Sequence, residues 1–277
     1  MQCRASSFWL RTAMHFVILS GLWALVLFLA SLLQLALGRR IGARRLKADP
    51  DGGAAGHGAV ETAVFGLLGL LLAFTFSGAM KRFDERRQLI GEEATAIATA
   101  YWQAELLKPA PRTQLRDKLR EYLDARLQAS RQPRLIEAGQ EVLTADVLKR
   151  SEALQAQIWH TATDPSHALR AESVDQVLLP TLTTLFAVAK SRTSAGQRHP
   201  PEIIFVMLFG LTLISALLAG YGMAASKRPS LVHMIGFALS LAATVFVIYD
   251  IEFPRSGLIR VDQFDQVLVN ALGGVSD

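Results

Sequence analysis

Residues 59–107 read AVETAVFGLLGLLLAFTFSGAM and then, with no proline in between, KRFDERRQLIGEEATAIATAYWQAELL. The segment from Val64 to Met80 contains no charged residue, and with its flanks it is long enough to cross a bilayer as a helix. The polar segment that follows contains only Gly91 as a weak helix breaker. The stretch therefore predicts one continuous helix that spans a membrane and then continues out of it as a stalk about 40 Å long.

The composition of the chain predicts a multi-pass membrane protein. Hydrophobic residues make up 51% of the 277 residues and are concentrated in four blocks, at 16–38, 59–80, 202–225 and 231–249. A cleaved signal peptide is the alternative for the first block. Its apolar core is longer than the usual core of about 7–15 residues, so a membrane span is the preferred interpretation. Met14 is a second possible start of the chain, beside Met1.

The segment between the second and third blocks predicts a soluble domain made of helices. Prolines divide it, and apolar residues recur at helical spacing between them, with Leu115, Leu119, Tyr122 and Arg126 as one such face. The dipeptide Asp164-Pro165 is typical of a helix start, and Pro180 predicts a kink in the helix that follows.

The expected fold is therefore all-α, with four transmembrane helices and a helical soluble domain inserted between the second and the third. The chain divides into a first transmembrane hairpin (1–80), the helical soluble domain (81–200), and a second transmembrane hairpin with the C-terminal tail (201–277).

Several classes of protein are disfavoured by the residue inventory. The single cysteine, Cys3, allows neither an internal disulfide nor a cysteine metal site, and the six histidines show no metal-binding spacing. No nucleophile, phosphate-binding or dinucleotide motif is present, so we expect no enzyme activity, no cofactor and no metal. The net charge is +5, but the cations flank the apolar blocks, which favours lipid phosphates over nucleic acid as their partners.

The second apolar block has two informative helical faces. Small residues and Leu70 share one stripe, formed by Ala63, Gly66, Leu70, Ala73 and Ser77. Such a stripe is typical of a packing seam between membrane helices. The alternative is that Gly66, Leu70 and Phe74, spaced i, i+4, i+8, face a pore axis in an oligomer, where hydrophobic rings gate by dewetting.

Two segments resemble the signature of bacterial bestrophins. Leu71-Leu72-Ala73-Phe74 is similar to its LAF/LGF segment, and residues 82–91, RFDERRQLIG, are similar to its RWWEARKLWG run. The matching positions are Arg82, Glu85, Arg87, Leu89 and Gly91, while Phe83 keeps an aromatic residue. Residues 251–254 resemble its I-E-x-P-F stretch. The stalk and the tail together resemble a family of bacterial four-span proteins described as bestrophin-like, over nearly the whole chain.

The resemblance implies a pentameric channel, mostly for anions, in which the second span lines a neck of bulky apolar rings. It implies that Phe74 forms the innermost ring and Leu70 the next, while Gly66 stands where a third bulky residue is usual and so widens the neck. Nothing in the sequence resembles the calcium clasp of animal bestrophins, so no metal is expected.

The implied setting is a bacterial inner membrane, with a homo-oligomer embedded in the lipid bilayer and small ions as its other partners. Charge counting over the short loops does not choose an orientation. The resemblance places the soluble domain in the cytoplasm. A second hypothesis is a non-conducting membrane scaffold or sensor whose helical domain binds a partner, and it predicts a monomer or dimer.

Overall fold

The computed structural model describes residues 2–48, 57–131, 141–225, 231–254, 257–259, 261 and 264–273. Nine helices follow one another there: α1 (Gln2–Ala48), α2 (His57–Gln103), α3 (Pro109–Arg131), α4 (Glu141–Thr163), α5 (Ala171–Ser173), α6 (Leu179–Gln197), α7 (Glu202–Gly222), α8 (Leu231–Glu252) and α9 (Asp265–Gly273). Over these ranges β pairing is limited to one isolated bridge, between Leu107 and Ala168. The all-α prediction is confirmed.

Four helical stretches in the described part of the chain are long and apolar enough to cross a membrane. They lie within Ile18–Ala48, Gly58–Leu106, Val174–Ala225 and Leu231–Glu252. Each of the four apolar blocks of the sequence overlaps one of these stretches, which confirms the prediction of four candidate spans. The segments between the paired spans, at 49–56 and 226–230, lie outside the described residues.

Helix α2 runs without interruption over residues 59–103 of the stretch predicted as one helix. It ends at Gln103, where a 3₁₀ turn (Ala104–Leu106) follows, and Pro109 begins the next helix. Proline is tolerated at that first position because its missing N–H would have had no partner inside the helix. That the second half of α2 stands outside a membrane as a stalk stays a prediction.

The helix start predicted at Asp164-Pro165 is wrong. Asp164 instead holds a turn: its Oδ1 accepts hydrogen bonds from the backbone N–H and the hydroxyl of Ser166, at 2.9 and 2.7 Å. Helical structure resumes only at Ala171. Asp164 and Pro165 therefore belong to a turn here. Both residue types favour a turn as strongly as a helix start.

The helix is irregular just before Pro180. A π-helical turn, Val174–Leu178, directly precedes α6, and the backbone N–H of Leu179 bonds to the carbonyl of Val174 across the junction. Pro180 lacks an N–H and so cannot continue this series of bonds. The kink at Pro180 stays a prediction.

The chain forms two compact units. The first comprises residues 1–81 and 199–259, and the second comprises residues 82–198 and 260–277. The tail from residue 260 thus groups with the helical unit, whereas the sequence division placed it with the second hairpin.

In the first unit, α1 packs against α7 and α8. The centre of this packing is a small apolar cluster of buried side chains, formed by Leu35, Ala216, Met234 and Ala238. Serine hydroxyls are also enclosed there, since Ser31 and Ser215 are fully buried.

Glycines let α1 and α7 approach at backbone distance. A Cβ atom at Gly38 would overlap the backbone oxygen of Leu217, and one at Gly220 would overlap the backbone oxygen of Leu35. Farther along, a Cβ atom at Gly42 would meet Ala224. From Gly38, which meets Leu217, to Gly42, which meets Tyr221 and Ala224, the contacts advance along both chains in the same direction, so the two helices run parallel. Close contact through small residues is how membrane helices associate when lipid supplies no hydrophobic drive.

In the second unit, α3 packs against α4 and α9, and α4 packs against α6. Side chains join α3 and α6 to the part of α2 from residue 82 onward. The α3 face predicted from the sequence is buried, with Leu115, Leu119 and Tyr122 fully enclosed. On α4, Leu154 and Ile158 are buried. Leu143 and Val147, which continue their helical spacing in the sequence, lie outside the described side chains.

Candidate functional site

The three predicted pore residues of α2 share an exposed face. Phe74 is 67% exposed and Leu70 is 53% exposed, and a Cβ atom at Gly66 would have no neighbour within 4 Å. Because they are spaced by four residues, they lie along one line of the helix surface. We call these three residues the open face of α2.

The side of α2 that contacts its own chain is a different one. Leu68 is buried, and the ring of Phe65 packs edge-on against Phe237 of α8, with 6.2 Å between the ring centroids. The whole predicted stripe of small residues, in contrast, is exposed: Ala63, Gly66, Leu70, Ala73 and Ser77. The stripe therefore forms no seam within the described part of this chain, and it is free to meet lipid or another copy.

The segment that resembles the bestrophin signature lies in the second unit, where its side chains have separate roles. Phe83 is buried, while Arg82, Leu89 and Gly91 are half-buried. Glu85 forms an ion pair with Arg198, which donates at 3.1 Å.

Arg87 of the same segment makes two surface contacts. It pairs with Asp84, three residues earlier, at 3.4 Å, and its guanidinium lies 4.0 Å from the centroid of the Phe264 ring. Both partners of the Arg87–Asp84 pair are exposed, so solvent screens most of its energy. The cation–π contact fixes the position of Phe264 beside α2.

Arg86, which the sequence analysis did not single out, is the buried cation of this segment. Its Nε donates to the carbonyl of Ala195 at 3.1 Å, and its terminal nitrogen donates to the carbonyl of Arg198 at 2.9 Å. These carbonyls belong to the C-terminal end of α6, where the last turn lacks intrahelical donors and carries partial negative charge. Arg86 therefore caps α6.

A buried polar cluster forms farther along α2, around Glu93. The Glu93 carboxylate is fully enclosed and accepts hydrogen bonds from Arg126 at 2.5 Å and from Arg192 at 2.7 Å. The hydroxyl of Tyr122 donates to it at 3.1 Å. The carboxylate is thus held by donors from α3 and α6, which satisfies the requirement for burying a charge.

The cluster extends to two further helices. Arg192 also donates to Asp265 of α9 at 3.2 Å, and Gln155 of α4 donates to the Tyr122 hydroxyl at 3.2 Å. Two carboxylates face two guanidiniums, so the cluster carries no net charge. We call Glu93, Tyr122, Arg126, Arg192 and Asp265 the Glu93 cluster.

The Glu93 cluster shifts the titration of its members. Burial, and then the neighbouring charge of Glu93, raise the pKa of the Tyr122 phenol far above its ordinary value. Burial alone would lower the pKa of Arg126, but the Glu93 carboxylate outweighs burial and holds that pKa above its usual value. At neutral pH the phenol is therefore a permanent donor and the guanidinium a permanent cation.

The sequence placed two members of this cluster, Tyr122 and Arg126, on one face of α3 without indicating their role. Arg126 was placed on the apolar face of α3, where a cation signals a buried partner. A second signal was available in α2, whose buried positions repeat at heptad-like spacing as Phe83, Arg86, Ile90, Glu93, Ile97 and Ala100. Arg86 and Glu93 are the two charged residues in that apolar series.

Asp250, near the end of α8, is a buried carboxylate that binds the backbone of the following segment. Asp250 accepts hydrogen bonds from the backbone N–H groups of Leu258 and Ile259, each with a shortest distance of 2.8 Å. Gly257 approaches so closely that a Cβ atom there would overlap the Asp250 side chain. Nearby, Glu252 is buried and lies 3.5 Å from His199. These contacts hold residues 257–259 against the end of α8.

Metal ligands do not converge in the part of the chain that the structure describes, where no group of three or more His, Cys, Asp or Glu side chains is placed to hold an ion. His167, for example, contacts the backbone oxygen of Thr161 at 3.0 Å. The absence of a metal stays a prediction of the sequence.

Four long apolar helices and a separate helical unit define this molecule as a multi-pass helical membrane protein. The family model of the bestrophin-like domain matches residues 25–263, which is most of the chain. The chain therefore belongs to the bestrophin-like family. Neither a curated protein nor a solved structure matches it significantly.

Proposed function

We propose that this protein conducts small ions, mainly anions, across a bacterial inner membrane as a homo-oligomer, with the open face of α2 lining a shared pore. The pentamer is the family-based expectation for its stoichiometry. The proposal assigns the chain no catalytic activity and places the second unit in the cytoplasm.

The observation that carries the proposal is the exposure of Gly66, Leu70 and Phe74 on one line of a membrane helix. Leu70 and Phe74 are bulky, apolar and more than half exposed, although the same span packs Leu68 and Phe65 against its own chain. Symmetric copies around an axis would place these side chains in rings, and apolar rings restrict ion flow by excluding water. Membership of the bestrophin-like family supports the same assignment.

Purified protein in liposomes tests conduction directly. Chloride efflux is compared for the unchanged protein, Phe74→Ala and Phe76→Ala. Phe74→Ala removes the proposed innermost ring, so flux should rise several-fold. Phe76 is also exposed but stands two residues away, about 200° around the helix, so its replacement is the matched control and should leave flux unchanged. Absence of chloride flux from correctly assembled protein, or equal effects of the two variants, would reject the pore assignment.

A second candidate is a non-conducting scaffold or sensor whose second unit binds a partner protein. The observation favouring it is exposed apolar surface on that unit, including Trp102 at 55% and Leu169 at 56%. Mass measurement of the detergent-purified protein by light scattering separates the two functions. A monomer or dimer of the 30.3 kDa chain supports the scaffold, and a larger ring supports the channel.

A further inference from the structure

The last ten residues of α1 form the most cationic helical surface of the first unit. After Gly38 the helix continues through RRIGARRLKA and contains Arg39, Arg40, Arg44, Arg45 and Lys47. Asp49 and Asp51 follow, so five cations stand against two acidic residues in this part of the sequence.

The packing of α1 on α7 fixes which cations point outward. Gly42 is held against Tyr221 of α7 and against Ala224 in the 3₁₀ turn (Met223–Ala225) that follows α7. Arg40 and Arg44, spaced by four residues, and Lys47, three residues farther, lie on the opposite side of the helix. All three side chains are exposed, and none forms an ion pair with another of the described residues. We call Arg40, Arg44 and Lys47 the basic face of α1.

The distance of this face from the apolar span matches a headgroup layer. The apolar block at 16–38 is about 35 Å long as a helix and covers the hydrocarbon core of a bilayer, about 30 Å thick. Arg40 and Arg44 then lie about 3 and 9 Å beyond the block, within the depth of lipid phosphates. Ile41 and Leu46 are exposed between the cations, which suits a boundary between acyl chains and water better than a nucleic-acid surface.

We propose that the basic face of α1 is a binding surface for the phosphate of anionic phospholipids. The guanidiniums of Arg40 and Arg44 hold the phosphate through paired donors, and Lys47 adds charge at the outer side. Phosphatidylglycerol is therefore preferred to zwitterionic phosphatidylcholine. The proposal does not depend on ion conduction.

Native mass spectrometry of the delipidated, full-length protein tests this preference. The protein in neutral detergent is titrated with phosphatidylglycerol or with phosphatidylcholine, and the bound lipid is counted. The variant Arg40→Gln/Arg44→Gln/Lys47→Gln should lose apparent affinity for phosphatidylglycerol by about fivefold per cation, up to about a hundredfold at low salt, and keep its affinity for phosphatidylcholine. Arg40→Lys/Arg44→Lys should bind more weakly than the unchanged protein but more tightly than the triple variant.

The matched control removes three exposed cations of the second unit, as Lys149→Gln/Arg150→Gln/Lys190→Gln, and should leave lipid binding unchanged. An equal loss in this control would overturn the proposal, as would unchanged binding in the basic-face variant. A further arm adds inorganic phosphate alone. Displacement of phosphatidylglycerol by equimolar inorganic phosphate would assign the surface to a free anion and reject the lipid. Matching elution volumes and circular dichroism spectra establish that the variants are folded.

Discussion

Glu93 is the residue on which the polar interior of the second unit depends. Its carboxylate faces both Arg126 and Arg192, and each of these cations is almost completely buried. Such a cluster adds little stability over a well-packed apolar core, because desolvation offsets most of the attraction. Removing one partner is different, since the remaining charges stay buried without compensation. The cluster therefore specifies one arrangement of its helices more than it strengthens them.

Neutralising Glu93 should consequently destabilise the protein strongly. Glu93→Gln leaves Asp265 as the one carboxylate opposite two buried guanidiniums within the Glu93 cluster. The expected cost is about 3–5 kcal/mol, seen as a fall of about 10 °C in the unfolding temperature of the purified protein. The adjacent Glu92 is exposed and bonded to Gln88, so Glu92→Gln should change stability by less than about 0.5 kcal/mol. Equal melting temperatures for the two variants would contradict this role of Glu93.

Tyr122 gives the cluster an alkaline pH dependence. Its pKa is raised in the folded protein, so above about pH 10 the unfolded chain loses the phenolic proton while the folded chain retains it. Stability should then fall with rising pH by up to about 1.4 kcal/mol per unit from this residue alone, with no effect below that pH. Melting curves of the unchanged protein and of Tyr122→Phe, recorded from pH 9 to 11, test this dependence. The Tyr122→Phe variant should lose less stability over that range. Parallel losses in the two proteins would show that the phenol does not contribute.

At the scale of elements, the contact between α1 and α7 is set by glycine. A leucine at Gly38 would occupy the position of the Leu217 backbone, so the helices would have to separate. Gly38→Leu should lower the melting temperature in detergent, because overpacking of this kind reduces the free energy of unfolding by about 1–3 kcal/mol. Gly21 on the same helix has open space around its Cβ position, so Gly21→Leu is the matched control and should melt like the unchanged protein. If both variants melt alike, the close approach of α1 and α7 is not required.

The open face of α2 leads to a prediction about the width of the proposed pore at Gly66. Gly66 leaves a gap where the proposed pore would otherwise have a third apolar ring, and a side chain there meets nothing within its own chain. Gly66→Leu should therefore fold normally and reduce chloride efflux from liposomes. Gly69 is equally open but points about 60° away from Gly66 and away from the line of Leu70 and Phe74, so Gly69→Leu should leave efflux unchanged. A reduction by both variants, or by neither, would argue against a pore at this face.

Secondary structure was predictable wherever one physical signal dominated. The proline-free run at 59–107 and the four apolar blocks predicted their helices because length and composition alone decide a membrane span. The helix start predicted at Asp164-Pro165 was wrong because the same two residues favour both a turn and a helix start. The local sequence does not choose between the two structures. Contacts that join distant helices, such as Arg192 with Glu93 and Asp265, leave no local pattern in one sequence.

At the scale of the whole molecule, the sequence predicted the class of fold but only part of the candidate site. Spacing alone predicted that Gly66, Leu70 and Phe74 share a face. What covers that face depends on other copies or on lipid, which the periodicity of one chain does not encode. The cap formed by Arg86 was hidden for another reason. Arg86 acts as a cap because it meets the end of α6, which lies more than a hundred residues later in the chain.

The parallel course of α1 and α7 predicts the topology of the chain. Two parallel spans require one return crossing between them, and α2 contains the intervening apolar span. Residues 82–198 should therefore lie on the same side of the membrane as the N-terminus, and the end of α1 on the other side. A membrane-impermeant maleimide tests this in sealed vesicles of one orientation. Cys3, the sole cysteine, and Lys149→Cys in a Cys3→Ser background should be labelled together, and Arg45→Cys in that background only from the opposite side. Labelling of Arg45→Cys together with Lys149→Cys would mean that α2 does not make the return crossing, and the pore proposed for its open face would then be untenable.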